Sequence, residues 1–219
     1  MNVVITGANR GIGLAMVQAY LERGDKVYAL CRHASEELKQ TNAHIIEGVN
    51  MLDPDALPDA LSSLRSTQID ILINNAGVLA RESVENWSPA TIEQQFRVNA
   101  LGPLLVTQAL LPSLTSGSKV AMITSRMGSM ADNGSGGYYG YRMSKAALNA
   151  AGVSLARDLH ADGIAVALLH PGYVQTEMVG YGGDIDTKTA ATRLQQRVDE
   201  LNLENSGHFW HSNGELLPW

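Results

Sequence analysis

The chain has a single cysteine, Cys31, among its 219 residues. No internal disulfide can form, which suits a reducing compartment, and Cys31 itself reads as a small apolar strand residue. Positive charge is also scarce: 16 lysines and arginines against 22 aspartates and glutamates leave a formal net charge of −6. Nucleic acids and anionic membranes favour basic surfaces, so neither is an expected partner, and a small molecule is the better default ligand. No apolar run approaches the roughly 18 to 20 residues that a membrane span needs. The N-terminus lacks a basic n-region and breaks into glycines after Thr6, which argues against a signal peptide, and a cytoplasmic protein is expected. Internal repeats, charge runs and proline-rich linkers are missing too. With 45% hydrophobic residues, the chain is long enough for one sizeable core and short for two, and residues 1–219 read as one domain.

What is present alternates. Short β-rich runs at Asn2 to Thr6, Lys26 to Leu30, His44 to Gly48, Asp70 to Asn74, Lys119 to Thr124 and Ile164 to Leu169 are separated by longer stretches of helical periodicity. The latter include Leu14 to Arg23, Ile92 to Leu114 and Tyr141 to His160. This pattern predicts an α/β fold, a doubly wound parallel sheet of Rossmann type flanked by helices. Ligands of such sheets bind outside the carboxyl ends of the strands.

Thr6-Gly7-Ala8-Asn9-Arg10-Gly11-Ile12-Gly13 follows the first predicted strand at once and opens a helix. Gly7, Gly11 and Gly13 would allow a tight turn and let Asn9, Arg10 and Ile12 bring backbone N–H groups to a pyrophosphate. In isolation the pattern could be a plain strand-to-helix turn. At the end of the second strand stands Arg32, with no carboxylate beside it. An acidic residue there would bind a ribose 2′-hydroxyl, whereas arginine can hold a 2′-phosphate, and Arg10 offers a second cation. NADP(H) is therefore expected over NAD(H), the alternative being that both arginines are solvated surface residues.

Tyr141 and Lys145 stand four residues apart at the start of a helical stretch, so their side chains share nearly one face. A phenol with a pKa near 10 is a poor acid-base catalyst at neutral pH. A neighbouring ammonium is expected to stabilise the phenolate and lower that value.

The motifs together resemble the short-chain dehydrogenase/reductase family over essentially the whole chain: Thr6-Gly7-x-x-x-Gly11-x-Gly13, Asn74-Asn75-Ala76-Gly77, Asn99, Ser125, Tyr141-x-x-x-Lys145 and His170-Pro171-Gly172 with Thr176. Within the family the chain is most similar to the small C-factor-like and sniffer-like carbonyl reductases, including in its tail from Gly207 to Trp219. The resemblance implies that Tyr141 is the general acid or base and that Lys145 lowers its pKa and binds the nicotinamide ribose. It implies that Ser125 holds the substrate oxygen, with Thr124 as the competing assignment. Asn99, a mediocre helix former inside a helical run, would face the site and help hold a proton-relaying water. Asn75, Ala76 and Gly77 would pass the adenosine side, although alone they read as an ordinary turn. Asn50 and Met51 would meet the adenine, Asn50 standing where a carboxylate is usual. Pro171, Gly172, Val174 and Thr176 would line the nicotinamide, and His170 is read as structural rather than catalytic. No metal ligands are assigned.

The activity expected is hydride transfer between a nicotinamide and a small, hydrophobic carbonyl or alcohol. Tyr173, Met178, Val179 and Tyr181 would line the substrate site beneath a short glycine-containing lid over Thr176 to Thr189, unless they pack on the protein itself. A cofactor-binding sensor or signalling protein on the same fold is the alternative, and a scaffolding domain would leave the glycine loop and the tyrosine–lysine pair unexplained. Small, apolar residues on the helices around Ala100 to Leu114 and Ala146 to Leu159 point to a homodimer or homotetramer.

Overall fold

Seven runs extend into strands of one wholly parallel sheet: β1 (Asn2–Thr6), β2 (Lys26–Leu30), β3 (His44–Ile46), β4 (Ile69–Asn74), β5 (Leu114–Ile123), β6 (Ala165–His170) and β7 (Phe209–His211). The coordinates are a computed structural model that describes residues 1–219. The strand order is β3-β2-β1-β4-β5-β6-β7, and every neighbouring pair is parallel. The connections carry α1 (Gly11–Glu22), α2 (Glu36–Lys39), α3 (Leu57–Ala60), α4 (Pro89–Phe96), α5 (Gly102–Leu110), α6 (Tyr139–Asp158) and α7 (Thr187–Glu200).

Successive strand residues point to opposite faces, and here both faces are covered. Val3, Ile5, Ile71 and Ile73 join Val17 of α1 and Leu194 and Val198 of α7 in one core. Val4, Leu72, Val120 and Met122 pack on the other side against Val106 and Leu110 of α5 and Leu148 of α6. Two buried faces explain why the strands read as continuous hydrophobic runs rather than alternating ones. The order reverses between β1 and β4, and the crevice this opens at the strands' carboxyl ends is where doubly wound sheets bind ligands.

The predicted doubly wound sheet is therefore the observed fold, with differences in its boundaries. β3 stops at Ile46, and Gly48 turns away with φ of +79°. β5 begins at Leu114, which was expected to end a helix. The helix expected over Ile92 to Leu114 starts at Pro89, widens into a π turn over Arg97–Leu101 and resumes as α5. Pro103 has no N–H to give the carbonyl of Asn99 four residues earlier, and its ring crowds that carbonyl. Widening relieves both, and π turns often occur at functional sites. The aromatic tail supplies edge strand β7, paired with β6. Helix α7 was not anticipated; Asp186 caps it by accepting the Thr189 N–H at 2.7 Å, and its Ala190, Ala191, Leu194 and Val198 stripe is buried. No helix is long and apolar enough to cross a membrane.

Candidate active site

A cleft of about 1030 Å³ runs across the carboxyl ends of the central strands. Apart from Asn99, the expected site residues line it: Gly7 to Gly13 on one side, Arg32, Asn50 and Met51 at one end, Asn75 to Gly77 on the floor, and Ser125, Tyr141, Lys145 and Pro171 to Thr176 at the other end. A second hollow of about 930 Å³, between α6 and the C-terminal tail, contains neither the tyrosine–lysine pair nor the glycine loop.

The glycine loop is held from within. Gly7 has φ of +63°, a conformation that L side chains rarely adopt. A Cβ on Gly13 would stand 2.2 Å from the Gly7 carbonyl oxygen and 2.6 Å from Asn75 Nδ2. These glycines therefore pack the loop on itself and on the stretch after β4, in addition to clearing space for a ligand. Thr6 Oγ1 accepts the N–H groups of Asn75 and Ala76, both at 3.0 Å, and Asn75 Nδ2 donates to Thr6 O at 3.0 Å. The start of α1 has no side-chain cap and no acidic residue in its first turn, which leaves its N–H groups and the positive end of its dipole available to an anion.

The charges flanking this end are exposed. Arg32 stands free of ion pairs on the surface beside the cleft, whereas Arg10 Nη1 meets Glu177 Oε2 across the cleft at 2.5 Å. Asn50 turns its Oδ1 to the Leu52 N–H at 3.1 Å, leaving its amide N–H groups for the cleft. Met51 is buried and packs against Gly102.

At the other end the groups are desolvated. Burial pushes the Tyr141 phenol up to about 12, opposed by a hydrogen-bonding influence of Ser125. Burial brings the Lys145 ammonium down to about 7. Lys145 Nζ donates to the Ile123 carbonyl at 2.8 Å and lies 5.8 Å from the Tyr141 ring centroid. The expectation that the lysine lowers the phenol's pKa is thus corrected: the phenol lies above its ordinary value. In this arrangement desolvation wins, because both groups leave water and each favours its neutral form. Ser125 accepts the Met127 N–H through Oγ at 3.2 Å. Its competitor Thr124 is turned to α6, where its Oγ1 bonds Asn149 Oδ1 at 2.7 Å.

Asn99 is the expected site residue whose side chain does not face the cleft. It is fully buried. Its Oδ1 accepts the Val78 N–H at 2.8 Å, and its Nδ2 donates to Val78 O at 2.8 Å and Ser144 Oγ at 3.0 Å. A buried amide must satisfy both its ends, and here it does so by fastening the loop after β4 to α6. Ser144, overlooked in the sequence, donates in turn to Tyr141 O at 2.8 Å.

The tail also contributes. Ser212 donates through N–H to His170 O and through Oγ to Pro171 O, both at 2.8 Å. His170 and His211 stack edge to face at 4.9 Å, and both line the cleft. Burial, reinforced by His211 and Arg126, brings His170 down to about 3, so it is a neutral wall of the site near pH 7. Tyr173, Met178, Val179 and Tyr181 line the cleft as expected. Nothing in the spacing of Ser212 or His211 marked them in advance.

Comparison with known proteins follows the same lines. The family model described as "short chain dehydrogenase" matches residues 1–184. The 1-hydroxy-2-glutathionyl-2-methyl-3-butene dehydrogenase of Rhodococcus sp. (strain AD45) is 35% identical over 223 residues, 99% of each chain. C-signal of Myxococcus xanthus is 46% identical over 154 residues, 69% of this chain and 93% of that protein. The NADPH-bound carbonyl reductase from chicken fatty liver superposes with a TM-score of 0.91 at 29% identity, covering 100% of this chain and 98% of the other. Carbonyl reductase Sniffer of D. melanogaster superposes with a TM-score of 0.89 at 29% identity, covering 100% and 99%.

Proposed function

The chain belongs to the short-chain dehydrogenase family, whose members bind nicotinamide cofactors, and on that footing we propose that it is an NADP(H)-dependent reductase of small, hydrophobic carbonyl compounds. One observation carries the reading: Tyr141, Lys145 and Ser125 meet at one end of a cleft whose other end is an uncapped, glycine-opened helix start flanked by Arg10 and Arg32. The free N–H groups there suit a pyrophosphate. Arg32, which makes no ion pair at the end of β2 and has no carboxylate next to it in sequence, suits a 2′-phosphate. The NADPH held by the chicken carbonyl reductase supports the same preference.

Bound nicotinamide would supply the hydride. Tyr141 hands its proton to the carbonyl oxygen as negative charge gathers there. A phenol held at about 12 still carries that proton at neutral pH, as donation to the carbonyl oxygen requires. Ser125 holds the same oxygen and stabilises its developing charge. Lys145, beneath the phenol, binds ribose hydroxyls and, when protonated, stabilises the phenolate left behind. Tyr173, Met178 and Tyr181 give the substrate end an apolar, aromatic wall.

The test is absorbance-monitored NADPH oxidation with quinones, dicarbonyls, aldehydes and a glutathione-conjugated carbonyl, the last because the Rhodococcus relative is named for a glutathionyl substrate. Turnover that needs NADPH and is lost in Tyr141→Phe supports the reading. NADPH binding without turnover in either direction would favour the second reading, a signalling protein on the same fold, which the similarity to C-signal motivates. A homodimer or homotetramer belongs to the same proposal. Ala146, Ala150 and Val153 of α6 line the second hollow beside Trp219, and a monomer in light scattering at micromolar concentration would remove it.

A further inference from the structure

Helix α6, which carries Tyr141, begins without a cap of its own. The residue before it, Tyr138, is left-handed at φ of +52° and makes no side-chain cap bond. A helix start leaves its first N–H groups without partners. At this one the partner comes from far along the chain: Glu82 accepts the Gly140 N–H through Oε2 at 2.5 Å, and its backbone carbonyl accepts the Tyr138 N–H at 2.8 Å. A carboxylate at a helix N-terminus is favoured by the dipole as well as by the bond.

Glu82 is itself held. Gln95 of α4 donates through Nε2 to Glu82 Oε1 at 2.9 Å and accepts the Ala80 N–H through Oε1 at 2.9 Å. Glu82 is 7% exposed and Gln95 1%. A Cβ on Gly140 would lie 2.3 Å from Gln95 Nε2 and 2.9 Å from Glu82 Oε1, so glycine is required immediately before Tyr141 for the clamp to close. The loop that carries Glu82 also presents Gly77, Val78 and Leu79 to the cleft. One buried carboxylate thus ties a wall of the cleft to the residue adjoining the phenol.

We propose that Glu82 and Gln95 are positioning residues for the reaction: their clamp on the Gly140 N–H sets where the Tyr141 phenol meets the substrate oxygen. The proposal rests on the reductase reading above. Misplacement of a catalytic group by about 1 Å can cost up to about a hundredfold in rate. Its effect falls on kcat, because the glycine loop that binds cofactor is held by other contacts.

Glu82→Gln tests it. The carboxamide has one acceptor oxygen instead of two and must set its NH₂ against that of Gln95 or give up Gly140. The expected result is a fall in kcat on the order of tenfold with an NADPH KM within about twofold of wild type. The solvent deuterium isotope effect on kcat rises as proton delivery from Tyr141 becomes limiting. The swapped pair Glu82→Gln/Gln95→Glu restores the donor–acceptor order toward Gly140 and Ala80, giving up only the 3.3 Å bond from Gln95 Nε2 to the Thr91 carbonyl, and returns kcat to within about threefold. Hydrogen exchange over residues 139–145 quickens in Glu82→Gln and recovers in the swapped pair. Unchanged kcat and isotope effect in Glu82→Gln overturn the proposal, whatever happens to Tm. If the wild type reduces no carbonyl with NADPH, the reductase reading fails on its own, and the clamp is judged by exchange alone: unchanged rates overturn it.

Discussion

At the phosphate-loop end of the cleft the charged side chains stand in water: Arg32 is exposed, and Arg10 and Glu177 have side chains 65% and 64% exposed. At the catalytic end Tyr141, Lys145, Asn99 and Ser144 are all buried. The exposed end can respond to its ligand by small, screened electrostatic steps. At the buried end desolvation shifts each group toward its neutral form, and every polar atom needs a fixed partner. Substitutions at the first should therefore move affinity, and those at the second rate or folding.

The largest expected effect is at the buried end. Tyr141→Phe removes the proposed proton donor and little else, and kcat for carbonyl reduction should fall by up to about 10⁴-fold with NADPH affinity unchanged by fluorescence titration. A comparable loss of cofactor binding would break the division between the two ends.

His170 tests the same burial through stability. Its folded pKa is lowered from 6.5 to about 3, so between those values the unfolded chain binds a proton that the folded one refuses. Stability accordingly falls as pH drops from about 6.5 toward 3, by at most about 5 kcal/mol. His170→Asn cannot take up that proton, and its denaturant midpoint should be flatter across this window.

Lys145 sharpens the comparison by pH. With its pKa lowered to about 7, its cation is lost as pH rises through neutrality, and with it, on the proposed mechanism, stabilisation of the phenolate formed on proton transfer. Reductive kcat should fall through that range. Alcohol oxidation, which needs the phenolate, should instead rise toward alkaline pH.

The two ends also differed in how well they could be read from sequence. The glycine loop is contiguous, and Tyr141 and Lys145 sit one helical turn apart, so local spacing revealed both. Glu82 and Gln95 gain their roles by meeting α6, the Glu82–Gly140 contact spanning 58 residues, and no periodicity signals such a meeting. Asn99 was visible as an odd residue in a helix. Its direction was not, because that depends on the π turn imposed around Pro103. The dominance of desolvation over the lysine's charge likewise depends on how deeply the helix is covered, which spacing does not encode. Helix α7 is hard to read in advance because half of its four-residue apolar stripe is alanine, set in a polar run.

The smallest effect expected is at the exposed end, from the ion pair between the glycine loop and the lid. Arg10 pairs with Glu177 across the cleft, and a 2′-phosphate beside Arg32 would compete for the same guanidinium. An exposed pair of this kind contributes about 0 to 1 kcal/mol. Glu177→Gln releases Arg10 and removes a like charge from the phosphate's surroundings, so NADPH should bind more tightly by up to about fivefold at low salt. NADH, with no phosphate to gain from Arg10, should be unaffected. Raising the ionic strength to about 1 M shortens the screening length to about 3 Å and should remove the gain. If it persists there, or extends to NADH, Glu177 acts through the lid's packing rather than its charge, and the exposed end is more tightly coupled to the buried one than its solvation implies.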